Sequence, residues 1–126
     1  MCAIAGFIDY SESIKDRREI FDKMSRTMVN RSPDDDGMWI CEKVALIHRR
    51  LSVIDIKNGK QPMSRNMRGN KYIIVYNGEL YNTNELRIEL LQAGHIFTGH
   101  CDTEVLLYSY IEWGEKCLEK LNGVRS

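Results

Sequence analysis

Neither sign of charge is in excess in this chain. Eighteen Lys and Arg residues balance eighteen Asp and Glu residues, so there is no electropositive field to gather nucleic acid or an anionic membrane. Long apolar runs are missing too: none approaches the roughly 20 residues a membrane helix needs, and the start lacks a basic region followed by an apolar one. The four cysteines, Cys2, Cys41, Cys101 and Cys117, form no Cys-x-x-Cys pair and no Cys/His cluster at zinc spacing. Two disulfides are formally possible, but without a secretion signal free and mostly buried thiols are expected. Internal repeats, low-complexity tracts and obvious linkers are absent. These absences predict a cytoplasmic chain with no nucleic-acid or membrane partner.

What remains is one small globular domain of 126 residues with 43% hydrophobic content. Its most informative stretch is the first seven residues, Met1-Cys2-Ala3-Ile4-Ala5-Gly6-Phe7. A cysteine directly behind the initiator methionine becomes the N-terminus once that methionine is trimmed, and its thiol and α-amino group then share one residue. The amine, with an ordinary pKa of about 7.7–8.0, suits a general base at neutral pH. A thiol with a pKa of about 8.5 needs such a base to become a good nucleophile. Taken alone, Cys2 reads first as a buried strand residue.

In chain order, strand-like and helix-like patterns alternate. Residues 2–8 read as a buried strand, and 15–30 as an amphipathic helix whose core face carries Ile20, Phe21, Met24 and Met28. Arg31 to Gly37 breaks that helix. Its Asp34-Asp35-Asp36 run lacks the alternating acid spacing of a calcium loop, so no metal site is expected. Strands are expected at 38–42 and 44–50, an apolar stretch at 51–56 and a long loop at 57–70. Lys71 to Tyr76, β-branched and aromatic, reads as a central strand. It runs into Asn77-Gly78-Glu79, which is either a hairpin turn or a pair of donors aimed at one point, as in an oxyanion hole.

Asn82 and Glu85 have the spacing of a capping box for a helix with Leu86, Leu90 and Leu91 inward, ending at Gly94. A short strand near 95–98 follows. Asp102 is placed to cap a further helix with Val105, Leu106, Tyr110 and Trp113 inward, and a last short helix spans 115–121. His48, His95 and His100 stand singly and read as structural or solvated. Arg49 and Arg50 could be a solvated basic pair, and Asp102 only a cap.

Six segments in order carry a family resemblance: Met-Cys-Ala-Ile-Ala-Gly-Phe-Ile-Asp at 1–9, Arg-Ser-Pro-Asp-Asp at 31–35, His-Arg-Arg-Leu-Ser-Val-Ile-Asp at 48–55, Gln-Pro-Met at 61–63, Tyr-Asn-Gly-Glu-Leu-Tyr-Asn at 76–82 and Cys-Asp-Thr-Glu-Val-Leu-Leu at 101–107. Together they resemble the N-terminal glutaminase domain of glutamine-hydrolysing asparagine synthetases, a branch of the class II glutamine amidotransferases. The resemblance implies an α+β fold, the N-terminal-nucleophile hydrolase αββα sandwich of two antiparallel sheets. Residues 1–126 would then be one type 2 glutamine amidotransferase domain, incomplete at its C-terminal end.

The implied chemistry is glutamine hydrolysis to glutamate and ammonia. Cys2 would be the nucleophile, and Asn77 and Gly78 the oxyanion donors. Arg50 would hold the substrate α-carboxylate, Asp102 and Glu79 its α-ammonium and amide; for Arg49 the solvated reading stands. Three substitutions within the pattern, Ala3, Ser32 and Cys101, exchange small for small. The family pattern continues past Asn122-Gly123 as a further strand, whereas this chain departs from it to Val124-Arg125-Ser126 and stops. Open sheet edges would then favour homo-oligomers. No phosphate-cradling glycine loop is present, so no cofactor is expected; ATP and Mg would belong only to a synthetase domain or subunit that takes the ammonia. Two alternatives stay open: a non-catalytic fragment or interaction module, and, for the enzyme, an acceptor other than an aspartyl adenylate, such as a sugar acid.

Overall fold

A computed structural model of the chain describes residues 2–30, 32, 35–50 and 59–125. Cys2 leads directly into β1 (Ala3–Ile8), and a 3-10 turn precedes α1 (Arg18–Thr27). Strands β2 (Asp35–Ile40) and β3 (Val44–Arg50) follow. They form an antiparallel sheet in the order β1-β3-β2, with Ala3 opposite Arg49 and Asp35 opposite Arg50. Because side chains alternate along a strand, Ala45 and Ile47 of β3 share one face with Ala5, Phe7, Met38 and Ile40. That face packs on Ile14 and Phe21, both fully buried, and on Met24 and Met28. Arg49 belongs to the same face. Its Nε donates to the carbonyl (2.7 Å) and hydroxyl (3.0 Å) oxygens of Ser25 on α1, so it is not the solvated residue expected. Ile20, expected inward, is exposed.

The second half starts with a hairpin, β4 (Met63–Met67) and β5 (Asn70–Ile74), turned at Arg68 and Gly69 where both φ angles are positive. It continues through β6 (Gly78–Leu80), α2 (Thr83–Gln92), α3 (Asp102–Trp113), α4 (Cys117–Lys120) and β7 (Gly123–Arg125). Met63 and Leu80 from strands, Leu86 and Leu90 from α2, and Val105, Leu107, Tyr108 and Ile111 from α3 make the core of this half. The architecture is α+β with antiparallel sheets: among the described residues α1 packs on the β1-β3-β2 sheet, α3 packs on the β4-β5 hairpin and on α2, and β6-β7 is a separate pair.

Several expectations are corrected, each because a main-chain or carboxylate partner outbids local propensity. The first sheet takes in Asp35–Gly37, read as turn, since they pair with Arg50–His48. Half of the expected 57–70 loop is β4 and its turn, while 51–56 lies outside the described residues. Among the described residues Lys71 to Tyr76 does not form a central strand: β5 ends at Ile74 and pairs there with β4 alone. No strand forms at 95–98, because Thr98 and Gly99 donate their N–H groups to the Glu104 carboxylate instead.

Asn82 precedes α2 without capping it. Its side chain donates to the Lys120 carbonyl (2.7 Å) and accepts from the Asn122 N–H (3.0 Å). Those bonds steer Gly123–Arg125 into β7 against β6, and a Cβ on Gly123 would lie 2.1 Å from the Glu79 carbonyl oxygen. Leu91 and Tyr110, expected inward, are exposed, and the expected end of α2 at Gly94 holds with φ 98°. Of the four cysteines, Cys101 and Cys117 are buried, and Cys2 and Cys41 are half-buried.

The two halves meet closely at Gly37, where a Cβ would lie 1.8 Å from the Gln61 carbonyl oxygen and 2.9 Å from Pro62. Main chain cannot yield as a flexible side chain does, so Gly37→Ala should cost roughly 1–3 kcal/mol or more of stability. A urea unfolding midpoint unchanged from the parent chain would show that this contact does not constrain the fold.

Candidate active site

The face of the first sheet turned away from α1 carries the first group of site residues. Alternation places His48 and Arg50 of β3 there, with Asp35 and Gly37 opposite them on β2. Extending the β1–β3 register one step past the Ala3–Arg49 pair brings Cys2 across from Arg50. Arg50 is 6% exposed and His48 is 1% exposed. Cys2 and Arg50, far apart in sequence, thus stand side by side on one face.

The second group lies where the chain leaves β5. Asn77 is half-buried, and Gly78 and Glu79 open β6 with exposed positions. Tyr76, immediately before them, is held by its main chain. Its N–H donates to Gln61 Oε1 at 2.6 Å, and the buried His48 ring hydrogen-bonds its main chain from the first sheet. Gln61 Nε2 donates in turn to Thr103 Oγ1 at 3.0 Å.

Asp102 sits at the first turn of α3 but is not its N-cap, a position taken by Cys101 in extended conformation. Its Oδ2 accepts the Leu80 N–H at 2.8 Å, which pins β6 to the start of α3. Asp102 is thereby joined to the Asn77–Glu79 segment. The Glu79 side chain is exposed.

Sequence reasoning gave no role to Gln61, Thr103 or Glu104. Glu104 is almost fully enclosed and gathers the Thr98 N–H and hydroxyl, the Gly99 N–H and the Arg65 guanidinium, the last at 2.7 Å. Burial alone would raise its pKa, but these hydrogen bonds outweigh burial and hold the carboxyl below its ordinary value. The Thr98–Cys101 segment that delivers Asp102 is fixed in this way. Gln61 was legible only as part of Gln-Pro-Met; its role needs partners 15 and 42 residues away. Among the described residues, no cluster of three or more His, Cys, Asp or Glu could hold a metal ion.

The chain as a whole, with its cysteine heading a strand beside a buried arginine, belongs to the glutamine amidotransferase domain family, which it matches over residues 1–125. Within that family it is similar to asparagine synthetase (glutamine-hydrolysing) 3 of Bacillus subtilis, 47% identical over 124 residues, covering 98% of this chain and 20% of that protein. Asparagine synthetase (glutamine-hydrolysing) 1 of the same bacterium is 40% identical over 126 residues, covering 98% of this chain and 20% of that protein. Asparagine synthetase B (glutamine-hydrolysing) of Escherichia coli is 34% identical over 124 residues, with 98% and 22% covered. The chain spans about a fifth of the length of these relatives.

Burial lowers the His48 pKa from 6.5 to about 4, the Arg50 charge adding to that effect while the Tyr76 hydrogen bond and Asp35 oppose it. Among the described residues its Nε2 has no hydrogen-bond partner. A folded-state pKa below the unfolded one means the unfolded chain takes up the proton first. Stability is therefore full above pH 6.5 and falls as the pH drops toward 4, by up to roughly 3 kcal/mol. Urea midpoints measured across that window should decline in the parent chain and decline less in His48→Asn; equal slopes would remove His48 as the cause.

Proposed function

We propose that this domain hydrolyses the side-chain amide of glutamine to glutamate and ammonia, with Cys2 as the nucleophile. The observation that carries the reading is the shared face of Cys2 and the buried Arg50, set against an Asn77-Gly78 segment whose preceding residue is bonded on both sides. With Met1 removed, the α-amine of Cys2 takes the thiol proton as sulfur attacks the amide carbon. Asn77 Nδ2 and the Gly78 N–H donate to the oxygen that becomes negative in the tetrahedral intermediate. The amine passes its proton to the departing nitrogen, which leaves as ammonia, and water then resolves the thioester to glutamate and free thiol.

The Arg50 guanidinium is a planar fork suited to the substrate α-carboxylate, and Asp102 and Glu79 supply negative charge for its α-ammonium and acceptors for its amide. No step calls for a metal or an organic cofactor. The relatives' names, glutamine-hydrolysing asparagine synthetases, support a synthetase domain or subunit as the partner that consumes the ammonia, with ATP and Mg acting there. An aspartyl adenylate is the acceptor this reading favours.

The deciding experiment is an intact mass before and after exposure to a diazo-ketone analogue of glutamine, with the adduct mapped. Loss of Met1 and a single adduct on Cys2, blocked by excess glutamine, is the expected result. A retained Met1, or adducts spread over Cys41, Cys101 and Cys117, would refute the reading. In the active protein, Arg50→Lys should raise KM for glutamine roughly tenfold to a hundredfold, the cost of about 1.5–3 kcal/mol for a charge-assisted hydrogen bond, with kcat changed far less. Asn77→Ala should lower kcat by about 10²–10³, as for other oxyanion donors. Steady-state assays of glutamate release separate the two effects.

A further inference from the structure

Gln61 stands outside every role assigned so far, yet its two amide atoms and its main chain touch three parts of the site. Oε1 takes the N–H of Tyr76, the residue before Asn77, at 2.6 Å. Nε2 donates to the hydroxyl of Thr103, the residue after Asp102, at 3.0 Å. Its carbonyl oxygen lies so close to β2 that only a glycine fits at position 37, opposite His48 and two residues from the Asp35–Arg50 pair. We propose that Gln61 is a positioning residue for glutamine hydrolysis, its carboxamide setting where the Asn77 and Gly78 donors stand relative to Arg50 and to the Asp102 end of α3. The proposal rests on the glutaminase reading of the site.

The chemistry of the amide suits this bridge. One group must accept from a main-chain N–H and donate to a hydroxyl about a side chain's width away, and a carboxamide has both functions in one rigid plane. The orientation follows from the network, because the opposite one would set NH₂ against N–H. Tyr76 is 5% exposed and Thr103 is 5% exposed, so water cannot readily replace either bond. Without Oε1, the Tyr76 N–H becomes a buried donor lacking its acceptor. The 75–77 segment then shifts to find another, and Asn77 moves with it. The Gly37 contact keeps the Gln61 main chain from following. The side chain touches no substrate atom in this scheme; it acts through Asn77.

The test is a double-mutant cycle in the full chain, Gln61→Met and Asn77→Ala singly and together. Glutamate release is counted per Cys2 labelled by the diazo-ketone analogue, so that a smaller folded fraction does not pass for a slower site. Gln61→Met should lower kcat about tenfold to a hundredfold, the penalty typical of an ångström-scale misplacement. The double variant should be no slower than Asn77→Ala within about twofold, since a donor already removed cannot be misplaced. Losses that multiply overturn the proposal, as does full turnover per labelled Cys2 with only a lower melting temperature.

If Gln61→Met fails to fold, Thr103→Val removes one arm of the bridge. Turnover per labelled site should then fall by roughly threefold to tenfold, again without adding to Asn77→Ala; unchanged turnover overturns the proposal. Failure of the parent chain to label at Cys2 and to release glutamate defeats the glutaminase reading and this inference together. An active parent with multiplying losses defeats this inference alone.

Discussion

A main-chain N–H that leaves its ladder inside a protein must find another acceptor, and in this chain that necessity falls on Tyr76. Beyond Ile74 the second hairpin has ended, and the bonds Tyr76 would have made in a sheet go to the Gln61 carboxamide and the His48 ring. Those two partners come from different halves of the molecule. His48 belongs to the first sheet, and Gln61 lies just before β4 with its main chain against Gly37. Asn77 and Gly78 follow at once, so the point that ties the halves together also sets the donors of the site.

The same economy recurs on the side of α3. Glu104 is a buried carboxylate, which in isolation would be strongly unfavourable. Two N–H groups, a hydroxyl and a guanidinium make it stable as the charged form, and in doing so they fix the segment that ends at Asp102. Asp102 then accepts the Leu80 N–H. Carboxylates here replace ladder bonds for segments that could not have extended a sheet. That is why 95–98 is not a strand although its residues would allow one.

The order of the segments and the chemistry of single residues were readable in advance. Cys2 beside the start, the strand that follows it, α1 and α3 by their apolar spacing, and the family itself all came from local pattern. The errors share one cause. Asn82 looked like a cap and instead bonds to Lys120 and Asn122; Arg49 looked solvated and instead bonds to Ser25. In each case a polar group chose a partner tens of residues away, which no window of neighbouring residues contains.

By itself, then, the sequence determined which residues had the chemistry: a thiol that can share its residue with an amine, an arginine fork, and an amide next to a glycine. Those properties are covalent and travel with the residue. Tertiary structure alone decided that Arg50 faces away from α1 while Arg49 faces toward it, that Cys2 stands across from Arg50, and that Gln61 joins Tyr76 to Thr103. Strand register and the closing of buried hydrogen bonds are collective properties of the packed chain, and they exist only once its distant parts have met.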